Sequence, residues 1–166
     1  MEIGYTRLVY FFGAIALITF LGFYKKYFSL MPDFPGLKQI HHFHALALTT
    51  WLTMLIVQPI LITRQKMTAH RLIGKLSYLL VPFIFLSMIL VYHNQYLRMV
   101  AEGKPEPETL AFVFSPATDA IPFLIFYLLA IRNKRDTPRH MRYMISTGLV
   151  IGGPGFTQNV ITNSQN

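Results

Sequence analysis

The chain has 166 residues, of which 53% are hydrophobic, 14% aromatic and 13% charged, about half the charged fraction of a soluble domain, so it has too little polar surface to cover a water-soluble globule. It contains no cysteine, which excludes disulfides, thiolate metal sites and iron–sulfur clusters and leaves histidine and carboxylate as ligands. Its formal net charge of +8 is gathered in short loops between apolar runs, a pattern of membrane topology that argues against a nucleic-acid partner.

Residues 8–24 make the first expected span, interrupted by Thr19, with Gly13 and Gly22 as close-packing points. It has no small-residue cleavage site and is flanked by Lys25 and Lys26, so it reads as a retained anchor helix and not a cleaved signal. Pro32, Asp33, Pro35 and Gly36 then mark a loop. The second span, 41–62, holds no charged residue; at about 1.5 Å per residue it covers roughly 33 Å, enough for the hydrocarbon core. A basic turn leads to the third span, 72–92, where Pro82 predicts a kink because its nitrogen cannot donate to the helix ladder. After a polar loop at 98–108, the fourth span runs either over 109–131 or over 116–131. The second is favoured, with Ser115 as cap, Pro116 at the first helical position and 109–114 in the membrane interface. A fifth stretch, 143–161, is expected to break at Gly152-Gly153-Pro154-Gly155.

These runs are apolar all round and lack the alternation of barrel strands, so the expected fold is all-α: one integral membrane domain, a polytopic transmembrane helical bundle of roughly four to five spans. The turns after the second and fourth spans carry Arg64, Lys66, Arg71, Lys75, Arg132, Lys134, Arg135, Arg139 and Arg142 against Asp136. The positive-inside rule makes both turns cytoplasmic, and the N-terminus is expected outside.

Two constellations could carry chemistry. Near the outer face, His41 and His44 lie three apart on one helix side, His93 ends the third span, and Asp119 falls about one turn inside the fourth. Intramembrane ionisable groups are costly and turn toward partners. His41, His44, His93 and Asp119 therefore form a candidate divalent-metal set, and His44 with His93 a candidate bis-imidazole pair for haem b. Histidines that only satisfy polar contacts, or that relay protons, remain open as well. The stripe through His44 continues along Leu48, Trp51, Leu55 and Gln58, and His42 faces away from it. On the cytoplasmic side, His70 and His140 are candidate ligands of a second haem, and Arg71, Lys75, Arg139 and Arg142 are placed to meet anionic lipid head groups. No Walker loop, nucleophile elbow or H-E-x-x-H motif is present, so soluble catalysis has no support.

The pattern H-R-x-x-G-K-x-x-Y at 70–78, preceded by W-L-x-x-x-x-x-Q-P-x-L-I at 51–62 and followed by H-x-x-Y-M-I at 140–145, resembles an uncharacterised family of multi-pass bacterial membrane proteins. The resemblance implies a six-helix chain longer than this one, in the bacterial cytoplasmic membrane, with no established reaction. The layout is also similar to cytochrome b561-type dihaem proteins, which would match His44 with His93 and His70 with His140. Together these expectations favour a membrane redox protein with a haem or metal ion near the outer face. A non-catalytic membrane subunit or assembly partner is the alternative, and a proton-linked transporter a third.

Overall fold

A computed structural model describes the backbone of residues 2–164 and the side chains of all but residues 2, 3, 111–113, 115–117 and 154–164. The described chain is helical: α1 Glu2–Phe23, a 3-10 turn at Phe28–Leu30, α2 Gln39–Thr63, α3 Met67–Ala101, α4 Glu106–Val113, α5 Ser115–Arg132 and α6 Thr137–Ser164. Three stretches, Gly4–Phe23, Gln39–Thr63 and Met67–Ala101, are long and apolar enough to cross a membrane. This is the architecture of an integral membrane protein. α3, with 35 residues, measures about 52 Å by helix rise and so extends well beyond a ~30 Å hydrocarbon core.

Local chemistry sets the element ends. α2 stops where Gln65 adopts a left-handed φ of 56° and Lys66 N–H turns back to Leu61 O at 2.8 Å, leaving a turn too short for anything but an antiparallel partner. α3 stops in the same way at Gly103, φ 67°, with Lys104 N–H on Met99 O at 3.1 Å; here glycine carries the left-handed conformation without a Cβ clash. The chain breaks again at Phe114, the N-cap of α5. α6 runs as one helix past Gly152 and Gly153 to Ser164, where the sequence led us to expect a break; membrane helices tolerate glycine and proline inside them.

The helices form a ring in which α1 packs on α2 and α6, α2 on α3, α3 on α5, and α5 on α6. Its interior is filled by Phe12 and Ile15 of α1, Trp51 and Leu55 of α2, Val81 and Ile84 of α3, Phe123 and Tyr127 of α5 and Ile151 of α6. Small residues allow the close approaches. A Cβ at Gly148 of α6 would stand 3.0 Å from Phe12 and 3.2 Å from Leu55, so three helices meet at that point. The outside is the reverse of a soluble surface: Leu79 is 79% and Leu46 65% exposed, as lipid-facing residues are when packing and not water exclusion joins the helices.

Helix direction follows from the contacts. Phe20 near the end of α1 packs on Phe28, and Tyr27 of the same loop on His42 at the start of α2, so α1 runs antiparallel to α2. Tyr92 bonds Asp119 and Ser77 bonds Tyr127, so α5 runs antiparallel to α3. The start of α1, the α2–α3 turn and the α5–α6 turn therefore share one end, called the basic end below. The expectation of an N-terminus on the side opposite the two basic turns is corrected: α1 makes a full crossing before α2 begins, which returns Arg7 to the side of the turns.

Candidate functional site

Polar side chains line the interior at two levels. Farther from the basic end, His44 Nδ1 lies 2.9 Å from Ser87 Oγ, which donates its own hydrogen to Ile84 O at 2.8 Å. That hydroxyl has one hydrogen, so His44 Nδ1 must donate to the serine oxygen, leaving the lone pair on Nε2. Deeper toward that end, Tyr92 donates to a carboxylate oxygen of Asp119.

Of the predicted outer set, His41 lies within electrostatic range of His44, while His93 stands apart. His41 is occupied at the helix start, where its Nδ1 accepts from Lys38 N–H at 3.0 Å. His93 is exposed; it lies six residues beyond Ser87, about 9 Å along α3 and some 120° around it, so it does not face His44. His42 points into the loop, with its Nδ1 2.8 Å from Tyr27 Oη and its ring against Phe34. Among the described residues, no three His, Asp or Glu side chains come together as metal ligands.

The two predicted inner histidines both stand at the basic end. His70 on the first turn of α3 and His140 on the first turn of α6 are close enough to interact electrostatically. His140 Nδ1 lies 2.8 Å from Ala130 O; a carbonyl only accepts, so Nδ1 carries the proton and Nε2 the lone pair. Gln58 reaches across from α2 and donates Nε2–H to His70 O at 3.3 Å. Two buried atoms here have no hydrogen-bond partner, Gln58 Oε1 and His70 Nδ1. Leaving such a group unpaired costs about 1–3 kcal/mol, which a water or a bound group offsets. Gly74, one turn beyond His70, lies open beside this cluster: a Cβ there would meet only Gln58 Nε2, at 3.6 Å.

Between the two levels the interior is sealed. Trp51, Val81, Ile84 and Phe123 are all 0% exposed, and Trp51 makes edge contacts with Phe123 and Tyr127 at centroid distances of 5.5 and 5.7 Å. Tyr127 reaches Ser77 Oγ at 2.9 Å, and that oxygen donates to Gly74 O at 2.6 Å. Ser77, Ser87, Tyr92 and Tyr127 were not among the expected site residues. The serines interrupt an otherwise apolar run and so left a trace in the sequence, whereas a tyrosine near a span end looks the same whether it faces lipid or the interior.

The predicted lipid-contacting residues Arg71, Lys75, Arg139 and Arg142 are all exposed at the basic end. Arg139 is also paired to Asp136 at 3.2 Å. Comparison with protein-family models, curated proteins and solved structures gave no match.

Proposed function

We propose that this integral membrane protein transfers electrons, with its redox centre at the basic end against His70 and His140. The observation that carries the proposal is His140: its Nδ1–H is committed to Ala130 O, which orients the ring and leaves Nε2 basic, as a ligating imidazole requires. His70, at the start of a different helix and within electrostatic range, has a buried ring nitrogen without a partner. H-R-x-x-G-K-x-x-Y and H-x-x-Y-M-I, on which the likeness to multi-pass bacterial membrane proteins rests, each begin with one of these two histidines.

Electrostatics decides which kind of centre suits the place. Two helix N-termini carry positive partial charge here, with Arg71, Lys75 and Arg142 on the same turns, and this disfavours a bare divalent cation. In a haem b the porphyrin offsets the iron charge and the propionates are anionic, so the donor set and the basic ring both fit it. When bound, such a group supplies one-electron iron chemistry. The positive-inside rule then places the basic end, with the N-terminus, in the cytoplasm, where the arginines and Lys75 also meet anionic lipids.

The test is an absorption spectrum with elemental analysis on protein purified in mild detergent from haem- and metal-replete cells. A Soret band that shifts on reduction, and that His140→Ala and His70→Ala remove, supports the proposal. Colourless, metal-free protein overturns it in favour of a non-catalytic subunit, to be sought with its partner.

A further inference from the structure

The charges of the basic end fall into two sets that face different surroundings. Arg71 and Lys75 are turned away from the buried Ser77 and Ile84 of α3, and Arg142 from the buried Thr147 and Ile151 of α6. These three stand on helix sides that meet lipid. Arg64 and Lys66 lie instead in the α2–α3 turn, and Lys134 and Arg135 in the α5–α6 turn. All four are exposed, and among the described residues none of them has an ion-pair partner. Asp136, the one acid in either turn, does not neutralise them: one of its carboxylate oxygens lies 3.2 Å from Arg139 Nε and the other accepts Arg139 N–H at 3.2 Å.

Backbone bonds hold both turns in shape. Arg64 N–H donates to Ile60 O at 3.0 Å and Lys66 N–H to Leu61 O at 2.8 Å. Asn133 donates to Leu129 O from its backbone at 3.0 Å and from its side chain at 2.7 Å, and Asp136 N–H closes on Asn133 O at 2.9 Å. Lys66 precedes His70 by four residues and Arg135 precedes His140 by five, and the two histidines lie within electrostatic range of each other, so the turns are neighbours. Met67, 41% exposed, adds apolar surface beside Lys66. Together they make a preorganised cationic platform at the tip of the bundle.

We infer that Arg64, Lys66, Lys134 and Arg135 form the docking face for a small acidic electron-carrier protein. Charge complementarity selects this partner: four unpaired cations at set spacing steer an acidic surface of matching pattern and raise its association rate. Methionine at their edge supplies a short-range contact of the kind enriched at protein interfaces. Fluid anionic lipid needs no fixed spacing and is met by Arg71, Lys75 and Arg142 on the helix sides. That the partner carries electrons rests on the electron-transfer proposal; the docking face itself does not.

The test uses the full chain in nanodiscs of phosphatidylcholine, which has no net charge, with an acidic ferredoxin and an acidic flavodoxin as probes and basic cytochrome c as control. Biolayer interferometry should show an acidic probe associating at about 10 mM salt and losing most of that association by about 150 mM, while cytochrome c stays unbound. Lys66→Ala with Arg135→Ala should slow association about tenfold, whereas Arg71→Ala with Arg142→Ala, which removes the same charge, should change it by less than about twofold. Retention of phosphatidylglycerol in mixed micelles should show the opposite order. The inference is overturned if neither acidic probe associates with the wild type, or if the two double variants slow association equally. It is also overturned if Lys66→Ala with Arg135→Ala lowers phosphatidylglycerol retention as much as the other pair, which makes lipid the occupant of the turns. The visible spectrum of the same preparation separates this proposal from the previous one: docking without a Soret band supports the face and sinks the electron-transfer reading, and a Soret band without docking does the reverse.

Discussion

The two ends of the bundle differ in one histidine: His140 Nδ1 is tied to Ala130 O as His44 Nδ1 is to Ser87 Oγ, but His70 Nδ1 has no partner. Away from the basic end every histidine nitrogen with a described bond is tied to a structural partner: His41 to the Lys38 backbone, His42 to Tyr27 and His44 to Ser87. Two acids there pair with bases, Glu102 with Arg98 at 2.8 Å and Glu108 with Lys104 at 3.9 Å. At the basic end the bases far outnumber Glu2 and Asp136, and Gln58 and His70 keep buried atoms unpaired. Polar groups whose needs are met internally hold a fold together.

The sharpest way to break this contrast is substitution at each end in turn. His140→Ala should abolish the Soret absorbance of the purified protein, whereas His44→Ala and His93→Ala should leave it unchanged; equal loss from both ends would erase the distinction. Next in size is the seal between the ends. Trp51→Ala should destabilise the bundle by about 3 kcal/mol, at the low end for a buried tryptophan because the lipid that receives the unfolded helices is itself apolar. Unfolding in mixed detergent micelles measures this. Trp51→Phe, which removes the unpartnered Nε1–H, should cost much less.

Ser87→Ala orphans His44 Nδ1–H and should cost about 1 kcal/mol in the same assay, with no change in colour. Asp119→Asn retains an acceptor for Tyr92 and should cost less again; a large loss of proton flux in vesicles with the fold intact would instead favour a transporter. Smallest of all, Arg98→Ala removes a pair whose side chains are 61% and 46% exposed, and stability should shift by no more than about 0.5 kcal/mol.

Much of the fold was legible because apolar runs of membrane length have few alternatives to helix, and the stripe of Trp51, Leu55 and Gln58 identified the inward side of α2 from spacing alone. His70 and His140 were also marked, as the first residues of two motifs 70 positions apart. The direction in which His93 points was not legible, because helix depth places residues at one level but does not turn them toward each other: His93 follows Tyr92, the partner of Asp119, and is exposed. The side of the N-terminus was misjudged because the basic residues were weighed without requiring each helix to reverse the side.

Composition and hydropathy by themselves determined that this is an all-helical membrane protein with its positive charge in the short turns, since burying a polar backbone in lipid leaves few other solutions. Only the tertiary structure decided what each histidine faces. It ties His44 to Ser87 and His140 to Ala130 O, and carries Gln58 from α2 onto the His70 turn. Those outcomes depend on helix order, rotation and antiparallel register, which arise from packing between segments far apart in the chain.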